Sequence, residues 1–263
     1  GEKTMTQKEI LEIALAQSAS DSNCAPIDFL SEKNKIVFSE KRAEARRYLE
    51  LPFLCDFVSY GHNIVASVRP QYYGVAAEYI SRFPPEHCFE TPALHVLDEL
   101  LNPLRARVCF MAEYWLPDLS HLKPLSCPYP TRLLCPDDFC GLYLPEWSNA
   151  LCEKRKGLDI LGIGAYDAGK LIGLAGASAD CQNMWQIGID VLPEYRNRGV
   201  ASALTSALAV EILRRNKVPF YCCAWSNLAS ARNAMRSGFS PAWVQMTVKS
   251  ESDVNALNRR VSP

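Results

Sequence analysis

The chain contains no apolar run of about eighteen residues, the length a membrane-crossing helix needs, so nothing in it is expected to span a bilayer. Its first residues, GEKTMTQKEILEIALAQ, are too charged for a secretory leader, and a cytoplasmic location is the expectation. A basic excess is also missing: 28 Lys and Arg against 29 Asp and Glu leave a formal charge of −1, not the gathered positive face that nucleic acid requires. The cluster Lys41, Arg42, Arg46 and Arg47 reads as a solvated helix face. No CxxC pair occurs, and His121, Cys127, Cys135 and Cys140 are irregularly spaced for zinc, so no metal is expected. Eleven cysteines are an odd number that cannot all pair, which favours reduced thiols. No GK[ST] follows a glycine loop, and Gly162-Ile163-Gly164 lacks the third glycine of a dinucleotide fingerprint. The four histidines all precede residue 122 and read as surface or core residues rather than as a triad base.

What is present is apolar material for a sizeable core: 48% of 263 residues are hydrophobic, enough for one large domain or two small ones. Helical spacing at Ile10, Leu11, Ala14 and Leu15 is followed by a polar loop and a second predicted helix over about Ser39 to Leu51. CDFVSYGHNIVASV alternates on both sides of a turn at Tyr60 to Asn63 and reads as a hairpin. Helix, strand and helix are then predicted through QYYGVAAEYI, PALHVLDELL and RARVCFMAEYWL. Proline crowds WLPDLSHLKPLSCPYPTRLL, which marks a connector, and the domain boundary is placed at 126/127. Beyond it come a short strand, a helix around PDDFCGLYLPEWSNALCEK, and two strands joined at Asp167 to Lys170.

The most informative stretch is Trp185 to Phe239. A strand, WQIGIDV, runs into LPEYRNRGVASALTSALAVEILRRN, a glycine turn that opens a helix with Val200, Leu204, Leu208, Ile212 and Leu213 near one face. The four N–H groups at a helix N-terminus lack intrahelical partners, and the macrodipole adds about half a positive charge, so Arg196, Asn197, Arg198, Gly199, Val200, Ala201 and Ser202 form a natural phosphate site. A second strand, VPFYCCAW, leads to a helix capped by Ser226 or Asn227 and ending at Gly238. A plain βαβ unit whose Gly199 eases a tight turn is the alternative that these residues leave open.

Arg196, Gly199 and Ala201 fit the Q/R-x-x-G-x-G/A pattern, and with Val191, Pro193 and Tyr195 before it and Asn227, Gly238 and Phe239 after it the stretch resembles the GNAT superfamily of acyl-CoA N-acyltransferases. The resemblance implies an α+β fold over 127–263, a mixed, mostly antiparallel twisted sheet flanked by helices. Residues 1–126 would be an α/β accessory region. It also implies acetyl-CoA as co-substrate, with the pantetheine arm along Ile189 and Val191, a Val191 N–H toward the thioester carbonyl, the diphosphate at 196–202, and Asn227 and Ser230 near the coenzyme arm. Ile187, Gly188 and Ile189 stand where relatives often carry a carboxylate base. Asp190 is the nearest candidate, as base or as a structural cap, with Glu146 and a bound water behind it. Relatives commonly place a tyrosine seven residues after the asparagine to protonate the leaving thiolate; here Ala234 stands there, leaving Ser230 or water.

The expected activity is therefore direct transfer of an acetyl group from acetyl-CoA to an amine. A coenzyme-binding or interaction module that has lost its chemistry is the competing class. No residue pattern specifies the acceptor or an oligomer.

Overall fold

The computed structural model describes residues 4–260. In chain order the elements are α1 (Gln7–Ser22), β1 (Lys35–Phe38), β2 (Cys55–Ser59), β3 (Val65–Val68), α2 (Tyr73–Arg82), α3 (Thr91–Leu101), β4 (Ala106–Pro117), β5 (Thr131–Leu134), β6 (Asp159–Asp167), β7 (Lys170–Ser178), β8 (Met184–Val191), α4 (Val200–Arg214), β9 (Val218–Cys223), α5 (Leu228–Arg236), β10 (Phe239–Ser250) and α6 (Glu251–Arg260). The class is α+β, each compact unit carrying a mixed, mostly antiparallel sheet with helices. Among the described residues no helix is long and apolar enough to cross a membrane.

Contacts divide the chain into two compact units: residues up to Ala14 with Tyr114–Pro241, and Leu15–Glu113 with the residues from Ala242 on. The division differs from a single cut at 126/127 because long strands, β4 and β10, carry residues of both units.

In the second of these units β1 pairs parallel with β3, β3 antiparallel with β2, and β2 antiparallel with β10. Tyr79, Leu97 and Leu101 of α2 and α3 pack with Phe57, Val68 and Met246 of the strands. The hairpin of β2 and β3 is as expected, turning through Gly61 at φ +95°. Behind it lies a buried polar network: Arg46 pairs with Asp21 at 2.6 Å and donates to Gln245, which donates on to Asp56. Burial pushes the Asp56 carboxyl up to about 7, against the hydrogen bonds from Thr247 and Gln245.

That network explains one correction. Residues 39–51 form turns rather than a helix, since the Arg46 backbone N–H and guanidinium both go to Asp21, and these tertiary bonds override the helix propensity of EKRAEARRYLE. Arg46 is accordingly buried, not part of a solvated face. The two segments after α2 are also the reverse of expectation. PALHVLDELL is α3, with Pro92 in its first turn and Ala93, Leu97 and Leu101 buried on one side. The β-branched and aromatic RARVCFMAEYWL falls in β4.

In the other unit the sheet order is β9-β8-β7-β6-β5, antiparallel throughout except for the parallel pair β8 and β9. α4 lies on one face, burying Val200, Leu204, Leu208 and Ile212 as its spacing predicts. The helix seats closely because Gly173 of β7 has no side chain: a Cβ there would come within 2.9 Å of Val200 Cγ1. The opposite face is covered by 136–151, which holds only short 3-10 turns beginning at Pro136 and Pro145, with Gly141 at φ +82°. The helix expected there is broken by those residues. Phe139, Trp147, Ala150 and Leu151 nevertheless pack onto Leu174.

Candidate active site

The site begins with a fork in the sheet. β8 and β9 pair only through Met184↔Val218, Trp185↔Pro219 and Gln186↔Phe220, and beyond that the strands part. On its other edge β8 stays paired with β7 as far as Gly173↔Val191. Leu192 donates to Ile172 O at 3.0 Å, so by alternation the backbone groups of Asp190 and Gly188 face β7, whereas those of Ile187, Ile189 and Val191 face the open edge. The backbone groups of Ile189 and the N–H of Val191 thus point into the fork, while Val191 O accepts from Arg196.

The glycine turn lies beyond the end of β8. Asn197 and Gly199 both adopt left-handed backbone, at φ +61° and +79°, which turns the chain so that Gly199 caps α4. Space beside Gly199 is open: an added Cβ would meet nothing within 4 Å. Residues 196–199 are exposed, while the Val200 side chain is buried and the Ser202 hydroxyl donates to Gly199 O. The first intrahelical bond runs from Ala203 N to Gly199 O, so the N–H groups of Val200, Ala201 and Ser202 point out of the helix end without intrahelical acceptors.

The two arginines divide their work. Arg196 Nε donates to Val191 O at 3.0 Å and ties the turn to the strand end, whereas Arg198 Nη1 donates to Tyr129 OH at 2.7 Å with its guanidinium 5.4 Å over the Tyr195 ring. Tyr195 donates to Asp167 at 2.8 Å, which anchors the loop from the β6–β7 hairpin. The site is therefore backbone amides with one flanking cation, an arrangement suited to a diphosphate.

The far wall is the start of α5. Asn227 caps this helix, its Oδ1 accepting from Ser230 N at 3.1 Å. The Ser230 hydroxyl lies 2.5 Å from Tyr221 OH of β9. Ala234 is 0% exposed and packs with Tyr221 and Phe239, so the position where relatives carry a phenol is sealed in the core.

Asp190 occupies the other face of β8. Its carboxylate accepts from Asn149 N at 2.8 Å, Asn149 Nδ2 at 2.7 Å and Ala150 N at 2.8 Å. Beside it the strands are glycine for a steric reason: a Cβ on Gly188 would lie 1.8 Å from Asn149 O, and one on Gly176 2.0 Å from Ala150 O. The segment 149–150 lies directly on the backbone of β7 and β8. Glu146 is exposed in the Pro145–Trp147 turn.

Ile189, Val191 and residues 196–202 thus converge on the fork and its mouth, with Asn227 and Ser230 following directly from the end of β9, while Asp190 faces away into the 149–150 segment. Sequence reasoning missed Tyr221, read only as part of a buried strand, and Asn149. Alternate glycines in an apolar strand were the available signal for Asn149, because they mark close backbone approach. No group of three or more His, Cys, Asp or Glu side chains suited to a metal occurs among the described residues.

Residues 144–242 match the family model for GNAT acetyltransferases. No curated protein matches the chain. Among solved structures it is similar to a GCN5-related N-acetyltransferase-like protein from Streptococcus suis 89/1591, at 20% identity over 62% of this chain and 73% of that one with a TM-score of 0.45. It is also similar to a GCN5-related N-acetyltransferase from Kribbella flavida, at 10% identity over 57% of this chain with a TM-score of 0.46, spanning 62% of that protein's length. A GNAT-family acetyltransferase from Colwellia psychrerythraea aligns over 94% of this chain and 99% of that one, at 12% identity with a TM-score of 0.46.

Proposed function

With its C-terminal half a member of the GNAT superfamily, we propose that the chain is an N-acetyltransferase that moves an acetyl group from acetyl-CoA directly onto an amine. The observation that carries this is the fork between β8 and β9 with the N-terminus of α4 at its mouth. The family match supports acyl-CoA-dependent acyl transfer in general; the acetyl group, the amine and direct transfer are our reading.

The residues fit the coenzyme. N–H groups of 198–202 would hold the diphosphate in the open space beside Gly199, with Arg198 at its flank. The open edge at Ile189 and Val191 would take the pantetheine arm as an added strand, its Val191 N–H toward the thioester carbonyl. Acetyl-CoA supplies the activated acyl group and a thiol leaving group. The amine nitrogen attacks the carbonyl carbon, a C–N bond forms, the C–S bond breaks with its electron pair on sulfur, and the Ser230 hydroxyl meets the departing thiolate. Water takes the proton shed by the amine. Asp190, with three donors already on its carboxylate, is read as the residue that holds 149–150 against β8 rather than as the base.

A coenzyme-binding module without transfer activity is the second reading, favoured by that same engagement of Asp190 and by the burial of Ala234. Calorimetry with acetyl-CoA, followed by thiol release across a panel of amines, separates the two. Binding with transfer to an amine upholds the enzyme, binding without transfer to any amine upholds the module, and no binding rejects both.

A further inference from the structure

Resting on the acetyl-CoA reading above, we propose that Tyr221 is a positioning residue that aims the Ser230 hydroxyl at the coenzyme sulfur, replacing the helix-borne phenol that Ala234 cannot supply. Tyr221 is the first β9 residue beyond the last β8–β9 pair, Gln186↔Phe220, and so stands at the apex of the fork. It is 3% exposed, its ring 6.2 Å from that of Phe239 and packed with Ala234. The ring thus belongs to the same apolar core as the alanine that lacks a phenol, and its hydroxyl reaches the partly exposed Ser230 at 2.5 Å.

The direction of the hydrogen bond follows from the two hydroxyls themselves. Asn233 Nδ2 of the same helix is engaged elsewhere, donating to Thr205 Oγ1 at 3.1 Å. The phenol O–H is the more acidic of the two hydroxyls and hence the stronger donor, and Ser230 Oγ is the acceptor in reach. Burial raises the Tyr221 phenol above the ordinary tyrosine value, so it stays an O–H donor at neutral pH. A serine hydroxyl rotates freely when alone; once its oxygen accepts from Tyr221, its proton turns outward. The Ser230 backbone N–H, meanwhile, is already spent on Asn227.

The step balances without ionising either side chain. As the C–S bond breaks, the electron pair stays on sulfur and is stabilised by the hydrogen bond from Ser230 O–H. The proton that completes the S–H bond then arrives from water, and Tyr221 and Ser230 end as they began. Ser230 touches the leaving group, whereas Tyr221 acts through Ser230.

The test reads the thiol itself. Coenzyme A bound to wild type, Tyr221→Phe, Ser230→Ala and the double variant is titrated by the ultraviolet absorbance of its thiolate. Ser230→Ala is expected to raise the bound thiol pKa by about one pH unit, the scale of one charge-assisted hydrogen bond, and Tyr221→Phe by about half of that. The double variant should match Ser230→Ala, since Tyr221 has no other route to sulfur, and Ser230→Thr should restore the wild-type titration. In turnover Tyr221→Phe should lower kcat severalfold, up to about tenfold, with KM for acetyl-CoA unchanged. An unshifted titration in Tyr221→Phe, or effects that simply add in the double variant, would overturn the proposal. Shifts as expected in a protein that acetylates no amine would uphold the pair while rejecting transfer; failure of coenzyme A to bind would reject both.

Discussion

The two sides of β8 make opposite use of the same strand. Toward β9 its edge is open: the backbone groups of Ile189 and the N–H of Val191 point into the fork, and the turn at 196–199 is exposed beside free space. On the face holding Gly188 and Asp190 it is shut by 149–150, which lies against strand glycines and takes both oxygens of Asp190. Of the family pattern, the open side keeps Arg196, Gly199 and Ala201 of Q/R-x-x-G-x-G/A. The shut side departs from it, with glycine at 188 and a carboxylate at 190 that serves the covering segment. On the proposed function, coenzyme binding and acceptor chemistry are therefore separable, because one would rest on backbone geometry and the other on particular side chains.

The strongest way to break that contrast is Gly199→Trp. The bulk fills the space beside the turn and an L side chain is strained at φ +79°, so acetyl-CoA affinity should fall by more than about a hundredfold, given that each 1.4 kcal/mol is tenfold. Calorimetry on a variant whose melting curve shows an intact fold checks this, and unchanged affinity would remove the diphosphate site. Next in size is Gly188→Ala, where the new Cβ meets Asn149 O. The expected cost is about 1–3 kcal/mol of stability, or displacement of 149–150. It should show as a lower Tm with much smaller change in coenzyme affinity; an unchanged Tm would mean the segment does not press on the strand.

Ala234→Tyr sharpens the comparison at the fork. Because Ala234 is buried against Tyr221 and Phe239, the graft should overpack the core and destabilise by about 1–3 kcal/mol rather than restore a proton donor. Higher turnover with no loss of stability would show that the position opens onto the thiol. The smallest effect is expected from Asp190→Asn, which keeps the shape but puts an NH2 in place of one of the two accepting oxygens, facing a donor, and costs about 1–2 kcal/mol. Its pH–rate profile should keep the acid limb of the wild type. Loss of that limb would return Asp190 to the role of base.

The open side was legible in the sequence and the shut side was not. Gly199, Asn227 and Gly238 announce local backbone events, and the structure places each as a cap or a left-handed turn. Such signals are contained within a few residues. Where long-range contacts decide, local pattern fails: residues 39–51 carry helix formers, yet Arg46 is drawn to Asp21, which precedes it by 25 positions, and to Gln245, which follows it by 199. Asp190 shows the same limit, since its partners lie 40 and 41 residues earlier in a loop whose prolines break the helix that periodicity suggested. Tyr221 is hidden for a related reason. Its partner Ser230 is nine residues away, but only the parting of β8 and β9 gives the pair a meaning.

The proposed phosphate site, assembled from peptide N–H groups at the start of α4, has a consequence for how this protein would tolerate change. Apart from the few positions that set the turn, there is no ligand for a single codon to remove, because every residue except proline brings the same N–H to the helix end. Mutations accumulating around the turn would alter the surroundings while the proposed coenzyme affinity persisted. On that reading a lineage could exchange its acceptor, change the side chains that meet the leaving thiolate, or abandon transfer altogether, all without first losing its hold on the donor molecule.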